Sequence, residues 1–205
     1  MSYCDWASGE QILRDYHDTE WGVPVRDDKR QFEYLMLEAM QSGLSWLTVL
    51  KKREIFRACF DDFDFERIAE YDECDVERIM NTNGVIRSEP KIRAVINNAR
   101  LFLDVRREFG SFSEYIWSYT HGKTVLYDRH ADGYIPNSNG LSDRIAKDLK
   151  KRGFKYIGSV TVYSHLQACG IINDHSKHCP RYAYINEHFE TITAPPDNEH
   201  NVVKY

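Results

Sequence analysis

Apolar positions recur with a helical period over most of the chain. Phe32, Leu35, Met36, Ala39, Met40 and Gly43 fall at i, i+3, i+4, i+7, i+8 and i+11, which predicts a helix over about residues 28–43 with a wide apolar face. Its other face offers Tyr34, Leu37 and Gln41 instead of Lys and Glu, so burial on most sides is expected. Ser45 caps a second helix, predicted over about 45–58, and shorter ones follow near 64–70 and 75–81. Glu89-Pro90 opens a long amphipathic helix with Ile92, Val95, Ile96, Ala99, Phe102 and Leu103 on one face and Gly110 at its end. A short helix is predicted over Ser111 to Tyr119, another from Ser142 to Lys151 stopped by Gly153, and a last one from Ser159 to Cys169 closed by Gly170. No segment shows sustained strand alternation or hairpin turn chemistry, so the class read from the pattern is all-α.

Three stretches lack a period. Residues 1–30 read as irregular, yet carry Trp6, Tyr16, His17 and Trp21, which suggests a segment packed back over the domain or lining a site. Residues 121–139 are rich in Gly, Asp, Pro, Asn and Ser and read as a connection. The tail past Cys179 is polar and aromatic, and loose order is expected beyond Glu190.

One carboxylate stands out against this pattern. The chain is 29% charged, but Tyr34 to Leu50 holds a single charge, Glu38. An acid inside a buried helix must be hydrogen-bonded, ion-paired or turned into a cavity. Glu38 is therefore either a structural acid tied to an arginine or helix end, or part of a pocket wall beside Trp46 that recognises a flat polar ligand.

At 205 residues the chain has ample length for a core, and no run approaches the roughly 18 apolar residues of a membrane span, so a soluble, cytoplasmic monomer is expected. Five widely spaced cysteines argue for free thiols or metal ligands instead of a disulfide framework. A net charge of −5 excludes a generally basic nucleic-acid binder but not a local patch. Such a patch exists: Lys147, Lys150, Lys151, Arg152 and Lys155 face only Asp148. It spans a short loop bounded by Gly153 and Gly158, with a helix N-terminus behind it. That combination suits a DNA phosphate, although any helical protein has glycine-capped corners.

Cys4 with His17, and His175 with Cys179, make two pairs; the second spans about one helical turn. Together they would fill a tetrahedral zinc shell with no open position, with His178 competing for a place, and scattered Cys and His remain the plainer alternative. Asp174, beside His175, either orients it from outside the shell or is a carboxylate available to activate water.

Longer motifs then narrow the choice. Tyr16-His17-Asp18-x-Glu20-Trp21-Gly22-Val23-Pro24, the run from Leu37-Glu38 through Ser45-Trp46 to Lys51-Lys52-Arg53-Glu54, Lys150 to Lys155, and Tyr163-Ser164-x-x-Gln167-Ala168-Cys169-Gly170-x-x-Asn173-Asp174-His175 resemble the bacterial 3-methyladenine DNA glycosylase I family from Cys4 to Cys179. The resemblance implies a helix-hairpin-helix DNA glycosylase fold: one glycosylase domain over 1–180, with two helical lobes around a base pocket, and a partly disordered extension over 181–205. It implies a structural zinc on Cys4, His17, His175 and Cys179. It also implies a pocket in which Glu38 hydrogen-bonds the base, Tyr16 and Trp46 contact it, and Trp6, Trp21 and Ser164 line the wall. The hairpin residues Lys151, Arg152, Gly153, Phe154, Lys155 and Gly158 would meet alkylated double-stranded DNA, and free 3-methyladenine would be the product. A non-catalytic DNA-binding module and a zinc-dependent small-molecule hydrolase are the competing readings.

Overall fold

The computed structural model describes residues 4–195. Around one largely buried helix, α2 (Asp28–Gln41), the other elements are arranged. Every residue from Gln31 to Met40 is buried. Asp27 caps the helix, accepting from the Arg30 backbone N–H.

Before it lie a 3-10 turn, Asp5–Ala7, and helix α1 (Gln11–Thr19). The expectation of irregular structure over 1–30 is thus corrected. Glu10, at the N-cap of α1, makes no side-chain capping bond, and the inner face of Ile12, Leu13, Tyr16 and His17 spans only about two turns, too short to announce a helix by its period. The predicted helix over 45–58 is two, α3 (Trp46–Lys51) and α4 (Arg53–Cys59), broken at Lys52. No Gly or Pro marks the break. The turn delivers the Arg53 guanidinium to Glu20 and Glu33, at 2.8 Å from each, which is a tertiary demand.

Helices α5 (Phe65–Ala69) and α6 (Glu73–Met80) follow; the second starts earlier than expected because Asp72, with Asp75, forms a capping box. The long α7 (Glu89–Phe109) buries Ile92, Val95, Ile96, Ala99 and Phe102, and ends where Gly110 takes φ 89°. Ser111 then caps α8 (Phe112–Ser118). Phe102 stacks on Phe112 at 4.3 Å, and Trp117 donates from Nε1 to the Val25 carbonyl at 2.8 Å.

The connection at 121–139 holds strand β1 (Thr124–Tyr127), a correction to the purely helical class. Its parallel partner β2 (Thr191–Ala194) lies beyond Glu190, where loose order was expected; residues 196–205 lie outside the described residues. Four-residue strands are too short to establish a period of two, and a parallel pair 67 positions apart has no turn signal. Helix α9 (Gly140–Arg152) is capped by Asn139, with Ser142 as the third residue of a capping box instead of the cap itself. Gly153 (φ 103°) stops it, and α10 (Ser159–Ala168) packs against it and against α2. Helix α11 (Pro180–His188) leads into β2.

Two glycines give opposite tests. A Cβ on Gly170 (φ 67°) would lie 2.5 Å from the Gly22 carbonyl oxygen and from the Pro24 nitrogen, whereas one on Gly158 (φ −89°) would meet nothing within 4 Å. Gly170→Ala is expected to cost about 3–5 kcal/mol and Gly158→Ala less than about 1 kcal/mol in denaturant unfolding.

Candidate functional site: an aromatic cavity beside a Cys/His cluster

The cavity starts from the face that α2 turns toward α10. Glu38 sits there among buried apolar neighbours. Burial raises its pKa to about 8. The buried oxygen Oε2 has no hydrogen-bond partner among the described residues. Five positions earlier on the same helix, Glu33 accepts from Arg53 and Arg57, each at 2.8 Å. Arg53 also pairs with Glu20, which in turn accepts from the Tyr34 hydroxyl at 2.8 Å. The nearby guanidinium groups are thus committed to other acids, and Glu38 is not the arginine-tied structural acid that its burial would otherwise suggest.

Glu38 opens into a cavity of about 330 Å³ lined by Tyr16, Trp46, Trp21, Trp6 and Ser164. All six residues anticipated for a pocket therefore meet at one place. Tyr16 comes from α1, and its buried hydroxyl also has no partner among the described residues. Burial, with Tyr34 and Glu38 nearby, holds that phenol well above its usual pKa, so it stays a neutral donor. The Tyr16 and Trp46 rings lie 5.3 Å apart, and those of Trp6 and Trp21 5.0 Å apart, edge to face.

Further lining residues were not singled out from sequence. Val160, Tyr163 and Gln167 fall at i, i+3 and i+7 around the anticipated Ser164 at i+4, one face of α10, so the helical period carried that signal. Gln41 lies one turn beyond Glu38. Ile135, Pro136 and Asn137 come from the aperiodic 121–139 connection, where no pattern marks them.

Immediately behind this wall, Cys4, His17, His175 and Cys179 are all buried, and their ligand atoms lie within 4.8 Å of one another, an arrangement that could hold one metal ion. Cys4 and Cys179 Sγ lie 3.6 and 3.7 Å from His175 Nδ1, and Cys179 Sγ lies 3.5 Å from His17 Nε2. The Cys179 thiol is held well below its usual pKa, first by the hydrogen bond from Cys4 and then by both histidines. The remaining imidazole nitrogens are occupied: His17 Nδ1 donates to Asp18 at 2.7 Å and His175 Nε2 to the Trp21 carbonyl at 3.2 Å. His178 is exposed and outside the cluster.

Asp174 does not orient His175. It is buried, and it accepts from His130 at 2.8 Å, Tyr163 at 2.6 Å and Gln167 at 2.8 Å, so both of its oxygens are spoken for. It ties the 121–139 connection to α10.

The hairpin between α9 and α10 separates into two kinds of residue. Lys151, Lys155 and Gly158 are exposed. Phe154 is buried in the core, and Arg152 is held by Glu108 and Asp148 at 2.6 and 2.7 Å beneath Phe109 and Tyr115, so neither points outward. Asn98 braces the loop, donating to the Lys155 carbonyl and accepting from its N–H. Exposed Tyr156 (φ 57°) joins Gly153 (φ 103°) in taking positive φ along the turn, whereas Gly158 (φ −89°) does not.

Comparison with known proteins bears on this geometry. The family model described as methyladenine glycosylase matches residues 6–182. The chain is 44% identical over 182 residues to DNA-3-methyladenine glycosylase 1 of Escherichia coli strain K12, covering 89% of this chain and 97% of the relative. It is 40% identical over 177 residues to DNA-3-methyladenine glycosylase of Haemophilus influenzae, covering 86% and 96%. Among solved structures, a crystal structure of 3-methyladenine DNA glycosylase I superposes with a TM-score of 0.83 at 47% identity, over 87% of this chain and 98% of that one.

The raised pKa of Glu38 predicts a pH-dependent stability. An unfolded glutamate titrates near 4.5 and the folded carboxyl near 8, so the wild type loses stability relative to Glu38→Gln as pH rises from about 4.5, and the difference stops growing above about 8. Denaturant unfolding of both proteins is expected to change their stability difference by on the order of 3 kcal/mol between pH 4.5 and 7; a constant difference would count against a buried, unpaired carboxyl.

Proposed function

The chain belongs to the methyladenine glycosylase family, and we propose that the aromatic cavity around Glu38 is where it takes the damaged base. Its activity is that of a DNA-3-methyladenine glycosylase: it hydrolyses the N-glycosyl bond between deoxyribose and 3-methyladenine, the first step in repair of that lesion. The observation that carries the pocket assignment is the unpaired Glu38 oxygen facing an aromatic cavity. A solved relative, a tyrosine-to-phenylalanine variant of 3-methyladenine DNA glycosylase I, is in complex with 3-methyladenine; it superposes with a TM-score of 0.82 at 36% identity, over 88% of this chain and 97% of that one.

The chemistry follows from the substrate's charge. Methylation at N3 makes the base cationic within DNA, so it is already a good leaving group and needs no strong acid. The protein must extrude the nucleotide, at a cost of a few kcal/mol that is smaller for a damaged base. Electron-rich rings of Tyr16 and Trp46 then favour the cation by roughly 1–2 kcal/mol when desolvated. Glu38 accepts from the exocyclic amine and answers the positive charge, while Trp6, Trp21 and Ser164 close the wall. Neutral adenine gains less from each contact. Asp174, with both oxygens already bonded, serves as a strut between pocket walls and not as the activator of water.

Because the free carboxyl is held near pH 8, a cationic base must displace its proton to form the ion pair. Below that pH the competent form is the minority, so kcat/KM is expected to rise with pH by up to about tenfold per unit and level off above about 8. Glu38→Gln should lack that limb. Release of free base from methylated duplex measures this, and a pH-independent wild type would remove Glu38 from the binding step. Release that falls in both Glu38→Gln and Trp46→Ala while DNA binding holds supports the pocket as a whole.

The Cys/His cluster fits a structural zinc. Bonds of about 2.3 Å to sulfur and about 2.0–2.1 Å to nitrogen at tetrahedral angles leave sulfur and nitrogen about 3.6 Å apart, close to the 3.5–3.7 Å separations here. Cys4, His17, His175 and Cys179 would hold it, and with four protein ligands it supplies no open position and no step of the reaction, only a cross-link between the chain's two ends. Removing it with a strong chelator is expected to abolish base release and the native circular dichroism together, with metal analysis giving one zinc per chain. Loss of activity from a protein that keeps its fold would argue for a catalytic metal.

DNA would be gripped through a helix-hairpin-helix element formed by α9, the hairpin and α10. Lys151 and Lys155 offer charge, and the backbone at Gly158 allows close approach, since no atom of its own chain fills the space a Cβ would occupy there. Gly153 shapes the turn, while Arg152 and Phe154 hold it in place. Residues 1–180 act as one glycosylase domain of two lobes meeting at the pocket, and 181–205 as an extension; the family match ending at residue 182 supports that division. A monomer acting on DNA in the bacterial cytoplasm fits this reading. Among the described residues no helix is long and apolar enough to cross a membrane.

A further inference from the structure

Lys91 stands in the first turn of α7, outside the pocket lining and outside the metal cluster. Its Nζ donates to the Met40 carbonyl at 2.9 Å and the Ser42 carbonyl at 2.6 Å. These carbonyls belong to the C-terminal end of α2, where free acceptors and the negative end of the helix dipole attract a cation. The need is local. Ser42, the C-cap of α2, makes no backbone bond back into its helix, whereas the C-cap residue of every other α-helix described does. Partial burial lowers the Lys91 pKa, a cost that the two carbonyls offset.

The turn that Lys91 grips joins the two sides of the cavity. Glu38 and Gln41 close α2, and Trp46 opens α3 four residues after Ser42. Beyond one backbone bond, from the Leu44 N–H to the Gln41 carbonyl at 2.6 Å, little else holds it. Gly43 (φ 82°) has open space where a Cβ would stand, and Leu44 is 38% exposed. The Ser45 cap, accepting from the Thr48 N–H at 3.2 Å, fixes the start of α3 but not the direction from which the chain arrives.

We propose that Lys91 is a positioning residue for the base pocket: by clamping the turn from Ser42 to Ser45 it sets the Trp46 ring against Glu38. The assignment rests on the reading of this cavity as the 3-methyladenine site. It is tested on the full chain by calorimetric binding of free 3-methyladenine, with base release from methylated duplex and thermal melting measured alongside. Lys91→Met, which keeps the stem and loses the donors, is expected to weaken free-base binding about tenfold, the scale on which a sub-ångström displacement of a site residue acts. Lys91→Arg, which keeps the charge and two donors, should stay within about threefold of wild type. Lys91→Gln, whose amide donates without a charge, should fall between them and covers the case in which the Met variant does not fold. Melting temperatures that drop while base affinity stays level across the series would make Lys91 a purely structural cap and overturn the proposal. A wild-type protein that neither binds nor releases 3-methyladenine would instead overturn the assignment of the cavity itself.

Discussion

A carboxyl group kept in the interior with one oxygen unpaired is costly, and the rest of the fold must hold it against that cost. Glu38 lies on a helix buried along ten consecutive residues, clamped by α3, α7, α8 and α10. The surrounding apolar contacts supply what the carboxyl does not. Equally important is where the nearby cations go. Arg53 is shared between Glu20 and Glu33, and Arg57 joins Glu33, so the guanidinium groups that might have neutralised Glu38 are engaged at 2.8 Å elsewhere. Two buried acids on one helix thus have opposite fates, one structural and one left open to the cavity.

The second constraint is the shared wall between the cavity and the Cys/His cluster. Tyr16 and His17 are neighbours on α1, and one faces each side. Trp21 packs edge-on to His175 at 4.5 Å and receives its Nε2 hydrogen bond through the backbone carbonyl. Trp6 meets both His17 and Trp21. Holding the four Cys/His side chains together, as the proposed zinc would, therefore fixes the rings of the pocket as well, because imidazoles and indoles are rigid and pack with little slack. The same logic applies at the hairpin, where Asn98 and Arg152 spend their polar groups on the fold so that Lys151, Lys155 and the Gly158 backbone remain outward.

Much of this was legible in the amino-acid sequence. The apolar period announced α2 and α7, Ser45 and Ser111 announced the starts of α3 and α8, and Gly110 and Gly153 announced helix ends, because these signals act within a few residues of themselves. A single charge in an apolar run marked Glu38, and paired Cys and His spacing marked the four cluster residues. Long motifs identified the family because several ordered residues are far more specific than any one spacing.

Tertiary structure alone decided the rest. Whether Glu38 would meet an arginine depended on how α4 delivers Arg53, which no local pattern records. The break at Lys52, the parallel pairing of β1 with β2, and the entry of Ile135 to Asn137 into the cavity wall all arise from contacts between segments distant in sequence. Phe154 and Arg152 looked like surface hairpin residues because sequence gives their charge and type but not the direction each side chain takes; Phe154 turned into the core, and Arg152 turned to Glu108 on α7 and Tyr115 on α8. Local propensity and motif fix which elements form and which chemistry is available, but which polar groups are left unpaired is a property of the packed whole.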